Sequence, residues 1–324
     1  MSSNTYVIPA QLPWRSIAGP LERAEDALAR LDERVRNHPL AAGWAERAHF
    51  ADACAALWLE GDLVHLEDLV LRDAAMDVRT AMDATNRALS VLRARRLVGR
   101  RGGAWALSSG GLDTVRGRRA GSGDPVTPAR ERSELVYDRD WDDEERLAEW
   151  RDVLNGTDKL PTLVAAAIAF DAWCRIAPFQ HAGWIGALLV SALLHRRGKT
   201  RHHLAALNVG MRAAPYRRAH VHDLGTRIAG FLDGVTATAD RGHTDLDRLT
   251  LAREVLGVQL KGRRSTSRLP ALVDLLLSKP LVSVPLAAKE LKVSAQAVEG
   301  LIGQLGSTAR ELTGRGRYRA WGII

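Results

Sequence analysis

Apolar residues in the first third of the chain recur at helical spacing. Leu21, Ala24, Leu28, Leu31 and Val35 stand three or four positions apart with charges between them, which predicts an amphipathic helix over 20–37. The same pattern predicts helices over 43–60, over Val64–Arg72 with Asp62 as its cap, and over 75–96. From 98 the pattern breaks. The run "GRRGGAWALSSGGLDTVRGRRAGSGDPVTPARERS" is rich in Gly, Ser, Arg and Pro, and predicts a short hairpin near Ala104–Leu107 followed by a mobile connector.

Helical spacing resumes near 142, where "DDEERLAEWRDVLNG" closes on Asn155 and Gly156 as a C-cap. Pro161 then opens "LPTLVAAAIAFDAWCRI", a segment apolar nearly all round and therefore central. A loop, "APFQHAG", leads into a second apolar helix closed by Gly198. Further helices are predicted over 200–212, 214–230 and 245–260, and no internal repeat is present. These elements divide the chain into 1–97, a Gly/Arg-rich connector 98–141, a helical core 142–260, and a C-terminal unit 261–324.

The C-terminal unit opens on a basic hinge, "KGRRSTSRLPAL", and continues with helices over 269–279, 284–291 and 294–305. The last two have helix-turn-helix spacing. Leu286, Ala287 and Leu291 face inward on the first, Lys292 and Val293 make the turn, and Ser294 caps the second. Val298, Leu301, Ile302 and Leu305 form the inner face of that second helix. Two β-prone arms around Thr313-Gly314-Arg315-Gly316 predict a hairpin placed as a wing.

Charge sharpens this picture. The chain has 324 residues, a formal net charge of +8 and a sequence pI near 10.0. From Lys261 onward there are eleven basic and four acidic residues, which accounts for seven of those eight charges. A polyanion partner follows, with double-stranded DNA contacted by Ser294, Gln296, Lys289, Lys292, Arg315, Arg317, Arg319, Arg263 and Arg264. The second helix offers Ser294, Gln296, Ala297, Glu299 and Gly300 outward. Gln296 can read adenine, while no arginine is present there for guanine. Backbone contacts, sensitive to salt, should therefore carry much of the affinity. Cys54 and Cys174 lack metal-ligand spacing and read as reduced core residues. With no signal pattern and no apolar run long enough to span a bilayer, a cytoplasmic protein without a membrane partner is expected.

The segment "LPTLVAAAIAFDAWCRIAPFQHAGWIGALLVSALL" resembles the core of Fic-domain proteins. Those carry a buried helix, an F-E-x-I-H-P-F run, then D/E-G-N-G-R and a second buried helix. Ile176, Pro178 and Phe179 match the run, Glu60 and Gly61 match the family's N-terminal I-E-G segment, and "LGTRIAGFLDGVTATA" is similar to a later helix. Many bacterial members also end in a winged helix. The resemblance covers roughly 20–96 and 142–324. The ending "GRGRYRAWG" further resembles an uncharacterised, mainly rhizobial group of helix-turn-helix proteins.

Working Fic enzymes transfer AMP from ATP to a hydroxyl, with a base, a magnesium ligand, a phosphate cradle and an arginine. The resemblance places Ala177 at the base position, His181 at the acidic metal position and Ala182 at the first cradle glycine. Gly183, Trp184 and Ile185 stand for Asn, Gly and Arg. Every chemical group is changed while the apolar frame is kept. The expectation is a mainly α protein without catalytic residues, metal or cofactor: a degenerate Fic-like domain for dimerisation or sensing, then a DNA-binding winged helix. A homodimer is expected, and an unknown anionic effector could use the helix N-terminus near Gly183, close in sequence to Arg175, Arg196, Arg197 and Lys199. Trp184 and Ile185 are expected to fill the former phosphate space. The alternatives are a divergent nucleotidyl or phosphoryl transferase using His181, and a module binding something other than DNA.

Overall fold

In the computed structural model, residues 5–75, 82–117, 141–214, 223–260, 267–311 and 319–323 are described. The first layer comprises α1 (Trp14–Arg36), α2 (Ala41–Glu60), α3 (Leu66–Asp73) and α4 (Asp83–Arg101), followed by the short helices α5 (Gly103–Ala106) and α6 (Ser109–Val115). The core helices are α7 (Asp143–Gly156), α8 (Thr162–Ile176), α9 (Trp184–Arg196), α10 (Leu207–Ala213) and α11 (Leu224–Leu260). The C-terminal unit contains α12 (Leu269–Ser278), β1 (Val282–Ser283), α13 (Val284–Leu291), α14 (Ala295–Gly303), β2 (Arg310–Glu311) and β3 (Ala320–Gly322).

The residues that built the periodicity are the ones buried. On α1, Ala24, Leu28, Leu31 and Val35 are all in the core. The ion pairs Arg23–Asp233 and Arg34–Asp247 step in the same direction along α1 and α11, so the two helices run parallel. Asp142 starts α7 by accepting the backbone N–H groups of Glu144 and Glu145, each at 2.9 Å. Helices α8 and α9 are buried almost all round, as their composition demands. Gly186 makes their close packing possible, since a Cβ there would lie 2.2 Å from Cδ1 of Trp173.

Two buried charge networks cross this core. Asp52 is fully buried and accepts from Arg95 Nη1 at 2.6 Å, Asn208 Nδ2 at 2.9 Å and the Val209 N–H at 3.2 Å. Arg95, equally buried, spends further N–H groups on the carbonyls of Leu204 and Ala205. Asp171 joins three elements, accepting from Tyr6 Oη at 2.7 Å and from Arg227 Nε at 2.6 Å. Both are pairings that a low-dielectric interior requires.

Several expectations are corrected. The hairpin near Ala104–Leu107 is absent, because 103–106 and 109–115 are helical, with Ala106, Leu112 and Val115 in the core. The rest of the expected connector, 118–140, lies outside the described residues. The helices predicted over 214–230 and 245–260 are one helix of 37 residues, α11. Gly242 is where α11 meets Leu31 and Trp44; a Cβ would be 2.6 Å from Leu31 Cδ2. The predicted helix over 200–212 begins only at Leu207, since 201–206 runs outside regular structure. Asp62 does not cap α3. It pairs with Arg87, and α3 follows His65. Cys174 is exposed, whereas Cys54 is buried and its thiol is pushed up to about 12, chiefly by burial.

The C-terminal unit is fastened to the first layer. Leu31, Val35 and Trp44 share one apolar cluster with Leu272, Leu276, Val298 and Trp321. Gly43 admits the end of α12, for a Cβ would sit 2.5 Å from the Leu277 carbonyl oxygen. Arg47 Nη2 donates to the carbonyls of Leu276 at 2.6 Å and Lys279 at 2.7 Å, capping α12.

Candidate functional site

In α13 and α14 the sequence expectation and the geometry coincide. Ser283 and Ser294 cap the two helices, with Ser294 Oγ accepting the Ala297 N–H at 3.2 Å. Lys292 turns the chain in the left-handed region at φ 54°. Ala287, Leu291, Val298, Ile302 and Leu305 are buried. Ser294, Gln296, Ala297, Glu299 and Gly300 are exposed, as are Lys289 and Lys292. The second helix therefore presents a polar, sterically mild face with its N-terminal turn open.

Beside it stands a three-stranded antiparallel sheet of order β1-β3-β2. Val282 pairs with Trp321 and Arg310 with Gly322. The sequence anticipated β2 and β3 but missed β1, whose two residues leave no alternation to read. Arg319 is less available than expected. Its Nε donates to Glu311 Oε2 at 2.8 Å, and its guanidinium lies 4.9 Å from the Trp321 ring centroid. Arg263, Arg264, Arg315 and Arg317 lie outside the described residues.

The second candidate is the loop between α8 and α9. Ala177 ends α8 in the left-handed region at φ 47°, and Ala182 follows at φ 72°. Arg146 holds the loop by donating to the Ile176 carbonyl at 2.6 Å. Arg116, paired with Asp143 and Glu144, lies 4.1 Å over the Phe179 ring. Pro178 is buried, Phe179 half-buried, His181 and Gly183 exposed. Trp184 and Ile185 are buried in one cluster with Ile176, Leu188 and Leu189.

The N-terminus of α9 is already occupied. Glu60 Oε1, from the far end of α2, accepts the Trp184 N–H at 3.0 Å. Glu60 also pairs with Arg87 at 3.3 Å. Burial raises the Glu60 carboxyl above its ordinary value, with the Trp184 N–H and Arg87 acting against that rise. A carboxylate of the chain itself thus takes the place expected for an outside anion. Two of the four cations expected there are engaged elsewhere: Arg197 is bound to the Thr157 carbonyl and to Asp158, and Lys199 to Glu25. Nothing local in the sequence signals the contact between Glu60 and Trp184, which are 124 positions apart.

Next to Glu60 a largely apolar cavity of about 220 Å³ remains, bordered by Phe170, Cys174, Trp184 and Met211.

Comparisons with known proteins agree with this geometry. Residues 135–261 match the family described as a protein of unknown function, DUF1612, and residues 269–324 match a helix-turn-helix DNA-binding domain. The uncharacterized protein y4cF of Sinorhizobium fredii is 37% identical, with 97% of this chain and 99% of that one aligned. A crystal structure of a Fic family protein from Desulfovibrio desulfuricans superposes with a TM-score of 0.52 at 15% identity, covering 100% of this chain and 98% of that one. That likeness shows the fold: the chain is Fic-like and mainly helical. No helix among the described residues is long and apolar enough to cross a membrane. The chain belongs to the family of y4cF, and in this chain a DUF1612 region is followed by a helix-turn-helix DNA-binding domain.

Proposed function

We propose that this protein is a transcriptional regulator that binds double-stranded DNA through α14 and the adjoining sheet, and that its Fic-like domain performs no nucleotidyl transfer. The carrying observation is the open N-terminal turn of α14, with Ser294 and Gln296 exposed beside Lys289 and Lys292, on the part of the chain that holds the charge excess. Against transfer stand Ala177, which cannot accept a proton, and Glu60, which occupies the N-terminus of α9.

The Fic-like domain acts in dimerisation or sensing. Leu251, Val255 and Val258 are exposed on one face of α11, a stripe suited to a second copy of the chain. Light scattering should then report a dimer that Leu251→Asp with Val258→Asp dissociates; a wild-type monomer would refute that part.

DNA binding is tested by selecting sites from random duplexes with the full chain. Arg315→Ala with Arg317→Ala should weaken binding to all duplexes and flatten its salt dependence. Gln296→Ala should cost about 1–3 kcal/mol at the selected site and much less on random DNA. Absence of any enriched site, or an unchanged salt slope, would refute the reading. Labelled ATP with magnesium, scored for self-modification that disappears in His181→Ala, would overturn the non-enzyme assignment.

A further inference from the structure

A second cavity, of about 420 Å³, lies at the opposite end of α9 from Glu60 and is unrelated to the Fic-like loop. Its wall is built by α2, α4, the end of α9 and the segment 201–204. That size falls within the range of small-molecule sites. Four histidines border it: His49, His195, His202 and His203. The only local sequence signal is the run Arg201-His202-His203.

Two of these rings hold buried nitrogens with no partner. His203 is 6% exposed, and its Nε2 makes no hydrogen bond. Its other nitrogen, Nδ1, is fixed 2.9 Å from Asp32 Oδ1, while Asp32 also accepts the N–H groups of Arg201 and His202. Trp44 meets the same ring edge-on at 5.5 Å. The ring therefore cannot turn to find another partner. His49 Nδ1 is likewise buried and unpartnered. Burial, with Arg95 and Arg96, pulls that imidazole down to about 3, so it is neutral. His195 Nδ1 receives the Gly103 N–H at 3.4 Å, which leaves its proton on Nε2 as a donor. Both unpaired nitrogens are sealed off by the packing around them, whereas the half-buried His195 and the exposed His202 border the open space.

The charge of the wall fixes the sign of that occupant. Glu46 is neutralised by Arg96, which also binds Asp73. Arg100 and Arg201 line the same cavity, are exposed, and make no ion pair among the described residues. A metal does not fit, for no three His, Cys, Asp or Glu side chains among the described residues converge as a ligand set. We propose that this cavity binds a small oxyanion, a molecule carrying a carboxylate or phosphate group, held by Arg100 and Arg201 with His195 and His202 pairing its remaining polar atoms. Helix α2 lines the cavity through Trp44, Glu46 and His49 and holds α12 through Gly43 and Arg47, so the site adjoins the seat of the DNA-binding domain.

The test is calorimetry on the full-length protein without DNA, so its outcome is separate from that of the DNA-binding reading. The probes are ribose 5-phosphate and citrate, with glucose as the neutral control. At least one oxyanion should bind at millimolar concentration or below, and glucose should not. Which of the two binds distinguishes a phosphate-bearing from a carboxylate-bearing ligand. Arg100→Gln with Arg201→Gln changes only exposed side chains and should weaken binding at least about tenfold with the melting temperature unchanged. His202→Gln, made separately, should weaken it as well. Failure of both oxyanions to bind at millimolar concentration overturns the proposal. So does binding that survives the double arginine change, or binding of glucose as strong as that of the oxyanions.

Discussion

Replacing Trp184 with alanine tests whether the Fic-like loop is packed core or an open cradle. Trp184 is 8% exposed and belongs to the main apolar cluster. A tryptophan buries about 150–250 Å². At roughly 25 cal/mol per Å² this gives an upper limit of about 4–6 kcal/mol. One edge of the ring faces the cavity of about 220 Å³ and has fewer atoms to lose. The expected loss is therefore about 3–4 kcal/mol, in the lower part of the range for such truncations. Urea denaturation measures it, with Trp58→Ala as control. Trp58 is 45% exposed, with Arg212 5.1 Å from its ring centroid, so its loss should be about half that of Trp184. The enlarged void should accept indole, and added indole should restore part of the lost stability. A Trp184→Ala loss no larger than that of the control would refute the packing argument.

Two further predictions concern charges. Glu60→Ala removes the acceptor of the Trp184 N–H and should destabilise by about 1 kcal/mol, whereas Glu60→Gln keeps an acceptor and should be neutral or stabilising near pH 7. The sign follows from the raised Glu60 carboxyl: a folded state that holds its proton more tightly than the unfolded chain loses that contribution as pH rises through the folded value. Melting temperatures across the acid range, wild type against Glu60→Gln, check it, and a Gln variant as unstable as the Ala variant would contradict it. Asp52→Ala strands Arg95 in the core and should cost about 3–5 kcal/mol by denaturation, while Asp233→Ala, which breaks a solvent-exposed pair, should cost less than about 1 kcal/mol.

Much of this molecule was legible in its sequence because short-range periodicity and capping carry the information. The helix-turn-helix could be placed almost to the residue, since Ser294 caps α14 by a bond to a backbone N–H three positions away and the inner face repeats within two turns. Helices α8 and α9 declared themselves by being apolar all round. The retained Ile176, Pro178 and Phe179 pointed to the Fic-like fold that the structural neighbour shares.

What the sequence could not decide depends on contacts between distant segments. The segments 214–230 and 245–260 read as two helices, but α11 is continuous through Gly242, where Leu31 and Trp44 press against it. The Gly/Arg-rich run around 103–115 read as a hairpin and connector, yet α5 and α6 gain their stability by packing into a core that neither could form alone. The helix N-terminus near Gly183 read as a place for an anion, and only the fold brings Glu60 onto it across 124 positions. Four histidines from three separate stretches likewise form one cavity wall only after α2, α9 and the segment 201–204 have packed. Local order follows from local spacing; the sites follow from which buried surfaces had to meet.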